Sequence, residues 1–342
     1  MSVSPKERER ILVVSVNWLG DAVMALPALQ RLRDQHPDAR IDLVTKPVLR
    51  DFWAMHAAPD EVLVVPEEKG AKAAFRRALR ASGYDRALIL PNSFRSGWLV
   101  WRAGVPQRRG TRMHGRGWMI NDPVSLDDLA SAHQAREFAR ILGVSEDDLP
   151  TPKLDAPTPA LDRQAQWLGS DAQAGARIVL LPGAARGPSK QWPEAHWVAL
   201  IQALHAQVPA CRFLLGGTPG DVALCQQIAE SVPDARTTVV AGQTSLQEFA
   251  WLLAQADTVV ANDSGGMHVA AALGVSVVAI YGITDPAKTG PLGSRAIVVQ
   301  HAKERSRDIP RECPVAAAAL ASVTPTEIAG SVVNALEIAH EQ

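Results

Sequence analysis

The chain has little cysteine and no long apolar run, and these absences narrow its class before any motif is considered. Its 342 residues include three cysteines, Cys211, Cys225 and Cys313, odd in number and at no metal-ligand spacing. That speaks against a disulfide framework and for a reducing, cytoplasmic home. No apolar stretch approaches the roughly 20 residues that span a bilayer. The N-terminus, MSVSPKERER, is charged and leads directly into a strand-like run, unlike a signal peptide. GxGxxG and the Walker spacing GxxxxGK[ST] are both missing, which lowers the readings of dinucleotide dehydrogenase and P-loop NTPase. Acidic residues are missing from one long stretch. Between Arg86 and Asn121 there is no Asp or Glu, while Arg95, Arg102, Arg108, Arg109, Arg112 and Arg116 all fall there.

What is present describes a globular α/β protein of two domains. Hydrophobic residues make up 47% and charged residues 21%, with a net charge of −1. Short apolar runs recur at 11–16, 41–45, 62–65 and 87–90, and helical spacing lies between them, as through Ala22, Val23, Leu26, Leu29 and Leu32. Repeated βαβ of this kind predicts a doubly wound sheet. The proline-dense stretch LPTPKLDAPTPA reads as a linker, after which the pattern restarts at 178–181, 211–215, 258–261 and 275–281. The expected domains are 1–155 and 156–324, with a final helix in 325–342 that has the option of packing back on the first. Two Rossmann-like halves would face a central cleft at the carboxyl ends of both sheets.

Three places have the residues for chemistry. Gly20-Asp21 ends the first strand and opens a helix, so Asp21 is either a helix-stabilising acid or a general base. The turn Asn262-Asp263-Ser264-Gly265-Gly266 follows a strand and opens a helix carrying His268. Free N–H groups and the helix dipole favour an anion there, and Ser264 is placed to cap. The stretch from Pro182-Gly183 to Lys190 resembles a phosphate cradle without the Walker spacing. Asp-x-Asp is absent, which removes one common way to hold a divalent metal on a sugar diphosphate, so Lys190, a helix N-terminus and backbone donors would meet the leaving-group charge. The arginine block, interleaved with Phe94, Trp98, Trp101 and Trp118, is either a solvated loop or a seat for an anionic partner. No nucleic-acid motif accompanies it, which favours a phosphorylated or carboxylated amphiphile.

These pieces, in order, resemble the ADP-heptose–lipopolysaccharide heptosyltransferases, glycosyltransferase family 9, a GT-B family, with the heptosyltransferase II type nearest in pattern. The resemblance rests on NWLGDAVMALPAL (17–29), YDRALILPNSFRSG (84–97), the arginine-rich segment through Gly110 and Asn121-Asp122, PGAARGPSKQWP (182–193), AGQTSLQEFAWLLAQADTVVANDSGGMH (241–268) and YGITDPAKTGPL (281–292). It implies inverting, metal-independent transfer of heptose from ADP-heptose to a Kdo-lipid A or heptosyl inner-core acceptor, with no cofactor and no nucleic acid; the alternatives are a GT-B transferase with another donor sugar or core acceptor, and a nucleotide-sugar or glycolipid binder without catalysis. The enzyme would be cytoplasmic and peripheral to the inner membrane. Carried over by position, Asp21 is the general base. Gly183, Lys190, Thr244, Asp263, Ser264, Gly265, Gly266 and His268 bind donor, and Trp18, Gly20, Asn92, Ser93, Arg95, Arg108, Arg109 and Arg112 face acceptor. Gly266 stands where relatives often carry Leu or Pro, a change expected to loosen the turn. Ala185 and Arg186 replace hydroxyl side chains of some relatives. Asp221 lies only near the place of an acidic donor contact.

Overall fold

The structure, a computed structural model, describes residues 8–169, 175–306 and 309–340; the charged N-terminal residues 1–7 lie outside the described residues. The chain forms two compact units that divide at Lys153/Leu154, within residues 149–160, which are neither helix nor strand.

The first unit runs β1 (Arg10–Val14), α1 (Leu19–Gln35), β2 (Arg40–Thr45), α2 (Arg50–Trp53), β3 (Glu61–Val64), α3 (Lys69–Ala81), β4 (Arg86–Ile89), α4 (Phe94–Arg102), β5 (Gln107–Gly110), β6 (Asp122–Pro123) and α5 (Gln134–Leu142). Its strands lie in the order β3-β2-β1-β4-β5-β6, all parallel. The second unit runs α6 (Leu161–Leu168), β7 (Arg177–Leu181), α7 (Glu194–Gln207), β8 (Arg212–Leu215), α8 (Val222–Glu230), β9 (Thr237–Val239), α9 (Leu246–Ala254), β10 (Thr258–Asn262), α10 (Gly265–Ala272), β11 (Ser276–Ile280), α11 (Pro286–Thr289), β12 (Ala296–Val299), α12 (Pro314–Ser322) and α13 (Pro325–His340). Its parallel sheet has the order β12-β11-β10-β7-β8-β9, the same doubly wound topology read from the other edge.

The central strands are the continuous apolar runs because helices cover both faces of each sheet. Ile11, Leu12, Val13 and Val14 are buried, with Val13 in register between Leu43 and Leu88. Val260 sits likewise between Leu180 and Val278. Each such side chain contributes roughly 1.5–3 kcal/mol by burial, against about 0–1 kcal/mol for an exposed ion pair. Burial therefore holds the sheets, despite the many arginine–carboxylate contacts at their edges. Helix α13 packs on α7 and against β10 and β11 of its own unit. Its Ile328, Ala329, Val332 and Leu336 share a core with Trp192, Trp197, Leu200 and Ile201.

Four strands were not expected from the sequence: β5, β6, β9 and β12. Strand β5 is Gln-Arg-Arg-Gly, so part of the arginine block is sheet and not solvated loop.

Candidate active site

A doubly wound sheet collects ligands at the carboxyl ends of the strands where their order reverses. In the first unit that point lies between β1 and β4, and a pocket of about 760 Å³ opens there. Ser15 and Asn17 come to it from the end of β1, Thr45 and Lys46 from β2, and Ser93 and Arg95 from the turn into α4. Lys46, Lys72, Arg76 and Arg95 line it together with one acid, Glu67, while Phe75, Phe94 and Trp98 give it apolar wall. Such a lining suits a ligand that is both anionic and partly apolar. Gly20 and Asp21 lie in the first turn of α1, where a carboxylate gains from the helix dipole. Trp18, at the N-cap position of that helix, is exposed. Asn92 is also exposed, on the turn beside Ser93, and is not part of the pocket wall.

The turn into α4 is fixed from beneath by Arg116, which is wholly buried. Its guanidinium donates to the carbonyls of Pro91 and Ser93, to Ser96 Oγ at 2.9 Å, and to Thr111 O and Oγ1 at 2.8 and 2.9 Å. Burial lowers its pKa to about 10, which leaves it charged at neutral pH. Ser93 caps α4 by accepting from the Ser96 N–H.

Two arginines expected to face acceptor are committed elsewhere. Arg108 donates to the carbonyls of Met119, Val105 and Pro106. Arg109 donates to the carbonyls of Ile141 and Arg140 and pairs with Asp122 at 3.0 Å. Arg86 pairs with Glu9 at 3.0 Å. The block lacks counter-charge in sequence, but folding brings carboxylates and carbonyls to it from a distance. Arg95 and Arg112 keep exposed positions.

In the second unit the reversal lies between β7 and β10, and there the side chains are stitched together. Asn262, the last residue of β10, is fully buried. Its Nδ2 donates to the carbonyls of Pro182 and Gly183 at 2.8 and 3.4 Å, and its Oδ1 accepts from the Trp192 N–H at 3.1 Å. The cradle after β7 is thereby tied to the turn after β10. The next residue, Asp263, pairs with Lys190 Nζ at 2.5 Å, both side chains mostly enclosed. Near Asp263 lies Tyr281, whose hydroxyl donates to the Thr289 carbonyl at 2.9 Å and whose phenol is pushed well above its ordinary pKa by burial and by this carboxylate, so it stays neutral. Gly187 occupies the left-handed region at φ +91°, with its N–H donating to the Ala184 carbonyl. Helix α10 begins at Gly265, directing its first N–H groups at this corner. His268 is buried in the first turns of that helix, and Thr244 precedes the capping box of Ser245 and Glu248 that starts α9.

Two expectations are corrected here. Ser264 holds the N-cap position, but its side chain makes no capping hydrogen bond. Gly266 does not loosen its turn: a Cβ there would lie 2.7 Å from Leu181 Cδ1 and 3.4 Å from Phe249, so glycine lets α10 pack closely.

Sequence reasoning underrated three residues. Asn262 reads as an ordinary turn residue, and nothing local shows that its carboxamide binds two distant loops. Tyr281 closes an apolar strand and looks like core. Asp221 was read as merely near the site, yet its carboxylate touches the cradle: a Cβ on Gly183 would lie 2.2 Å from Asp221 Oδ1. Asp221 also accepts from the Thr218 N–H and hydroxyl at 2.8 and 2.7 Å, and the Thr-Pro-Gly-Asp spacing was the available signal. Among the described residues, no group of three or more His, Cys, Asp or Glu is placed to hold a metal ion.

Comparison with known proteins places these features in a family. The sequence profile of glycosyltransferase family 9 (heptosyltransferase) matches residues 72–319. Lipopolysaccharide heptosyltransferase 2 of Salmonella typhimurium is 31% identical over 307 residues, which cover 85% of this chain and 88% of that protein. Lipopolysaccharide heptosyltransferase 1 of Escherichia coli is 29% identical over 318 residues, 86% of this chain and 94% of that one. The solved structure of E. coli ADP-heptose lps heptosyltransferase II matches with a TM-score of 0.82 at 28% identity, over 97% of this chain and 100% of that chain.

Proposed function

The chain belongs to glycosyltransferase family 9, the heptosyltransferases, with GT-B architecture, and from that premise we propose that it transfers a heptosyl group from ADP-heptose to a heptosyl-Kdo-lipid A acceptor of the lipopolysaccharide inner core. The observation that carries this reading is the corner where Lys190, Asp263, Gly183 and the start of α10 meet under the clamp of Asn262. A cation and free helix N–H groups suit a diphosphate, and a fixed carboxylate beside them suits sugar hydroxyls. The basic, partly apolar pocket of the first unit suits an anionic glycolipid.

In this reading Asp21 takes the proton of the acceptor hydroxyl. The freed oxygen pair bonds to the anomeric carbon from the face opposite the nucleotide. The bond from that carbon to the diphosphate oxygen breaks, ADP leaves with the electron pair, and configuration inverts. Lys190 and the α10 N–H groups meet the charge that develops on the leaving oxygen. The reaction is metal-independent and takes place at the cytoplasmic face of the inner membrane, with the protein attached peripherally.

The similarity to heptosyltransferase 1 at 29% identity, beside 31% to heptosyltransferase 2, supports a second reading in which the acceptor lacks the first heptose. Transfer from ADP-heptose to defined acceptors carrying zero, one or two heptoses separates the two. The type II reading expects the one-heptose acceptor to be used at least about tenfold better, a difference of about 1.4 kcal/mol, with rates unchanged by EDTA. Preference for the heptose-free acceptor would replace it with the type I reading. Loss of activity in EDTA would remove the metal-free mechanism.

A further inference from the structure

One surface of the first unit extends beyond the pocket wall described above. Helix α4 and the short turn Gly117–Met119 bring four aromatic rings together. Phe94 stacks on Trp98 with centroids 6.1 Å apart, Trp98 meets Trp101 at 5.1 Å, and Trp118 packs edge-on against Trp101 at 4.9 Å. This cluster is not core: Phe94 is 44% exposed, Trp98 37% and Trp118 58%, and Met113, five residues before Trp118 in the chain, is 51% exposed. Arg102 lies over the rings of Trp98 and Trp101, 5.6 and 5.9 Å from their centroids. Arg95, Arg102 and Arg112 are exposed on the same segment, 87–120, which has no acidic residue.

Exposed tryptophans whose polar edges stay wet are the residues that settle at the boundary between headgroups and acyl chains. Cations among them add attraction to anionic lipid. Among the described residues no single helix is long and apolar enough to cross a membrane, so such a surface would act by lying on it. Phe94, Arg95 and Trp98 belong both to this cluster and to the wall of the pocket. The surface therefore runs continuously into the place where an amphiphile would be bound.

We infer that the aromatic–arginine face of α4 and the Trp118 turn docks on an anionic lipid surface and sets the mouth of the first-unit pocket at headgroup level. This rests on the proposed lipid-linked acceptor, and the test keeps the two apart. The full chain is sedimented with vesicles of phosphatidylglycerol and phosphatidylethanolamine, and separately with phosphatidylcholine vesicles, neither containing acceptor. The expected result is binding to the anionic vesicles that weakens at least tenfold on phosphatidylcholine and at high salt. The double variant Trp118→Ser with Arg102→Gln, neither residue being part of the pocket wall, should lose at least tenfold in vesicle binding. It should keep its thermal midpoint and its rate on a deacylated, water-soluble acceptor, while transfer to vesicle-embedded acceptor falls. Equal binding of wild type and variant, equal binding to neutral vesicles, or a concentration-dependent dimer with no vesicle binding would each overturn the docking face. If vesicles bind as expected but no soluble acceptor is turned over, it is the acceptor assignment that fails.

Discussion

The two sheets share one topology and place their loops at equivalent reversals, yet the two reversals are built differently. After β1 and β4 there is an open pocket of about 760 Å³ with four cations and three aromatic rings on its wall. After β7 and β10 the same position is filled with side-chain bonds, Asn262 to both flanking loops and Lys190 to Asp263. The strands explain only where these sites are. What each can hold is decided by the residues just past the strand ends, as expected where one fold serves many ligands. In the proposed reading the second corner, its bonds already formed, takes a small, fixed group such as a sugar diphosphate. The first leaves room for something larger and less regular.

The largest effect should come from Asp21. As a helix-start acid it contributes about 0.3–1 kcal/mol, whereas as a general base it contributes about 10²–10⁴-fold in rate. Asp21→Ala is expected to lower kcat by a factor in that range while the thermal midpoint moves little. Steady-state kinetics beside a melting curve decide between the roles. A variant with full kcat and a lowered midpoint would reduce Asp21 to a structural acid.

The next test sets the two clamps against each other. Asn262→Ala leaves the Trp192 N–H and the Pro182 carbonyl buried without partners, at about 1–3 kcal/mol for each orphaned group. Arg116→Met keeps the bulk of the side chain but removes the donor to the Thr111 carbonyl and leaves those of Pro91 and Ser93 to the Ser96 hydroxyl alone, with a loss of about 3 kcal/mol expected. Denaturant unfolding should register both. Kinetics should separate them, because Asn262→Ala is expected to raise the KM for donor and Arg116→Met the KM for acceptor. Both variants shifting the same KM would end the division of labour between the two corners.

Smaller again is Gly266→Ala. The new methyl lies 2.7 Å from Leu181 Cδ1, the tip of a side chain that is itself enclosed. Overpacking of this kind costs about 1–3 kcal/mol, and the expected loss is near the lower end because the leucine can turn. Stability equal to or above that of the wild type would mean that the turn is loose after all.

Much of the fold was legible because its central strands are buried on both faces and are written as unbroken apolar runs. The β5–β6 end of the first sheet was not legible for the converse reason. Strand β5 carries two arginines and β6 is Asp-Pro, and each becomes a strand only through the neighbour it pairs with. In the site, Asp21, Lys190 and Asp263 could be picked out by residue type and turn position. Asn262 and Arg116 could not, since their roles depend on loops tens of residues away, and of Asp221 the local spacing shows the cap but not the contact with Gly183. Charge was the most misleading signal. Arg109 has no acidic neighbour within ten residues, yet it meets Asp122 and two helix-end carbonyls once the chain is folded.

That last point gives the mildest test, and it divides the arginine block. Arg109 joins β5 to β6 and to the C-terminal end of α5, where a cation also complements the helix dipole. Arg109→Ala should therefore lower stability by about 1–2 kcal/mol and leave the KM for acceptor nearly unchanged. Arg112 lies on the exposed side of the same segment, with a single long contact of 3.5 Å to the Ile120 carbonyl. Arg112→Ala should hold stability within about 0.5 kcal/mol and raise the KM for an anionic acceptor by no more than about fivefold, the equivalent of one screened charge at about 1 kcal/mol. Raising the salt concentration should erase that fivefold and leave the Arg109 deficit in place, because screening acts on exposed charge far more than on hydrogen bonds to carbonyls. The reverse pattern, Arg109 moving KM and Arg112 moving stability, would return the whole block to ligand binding and make its folded ion pairs incidental.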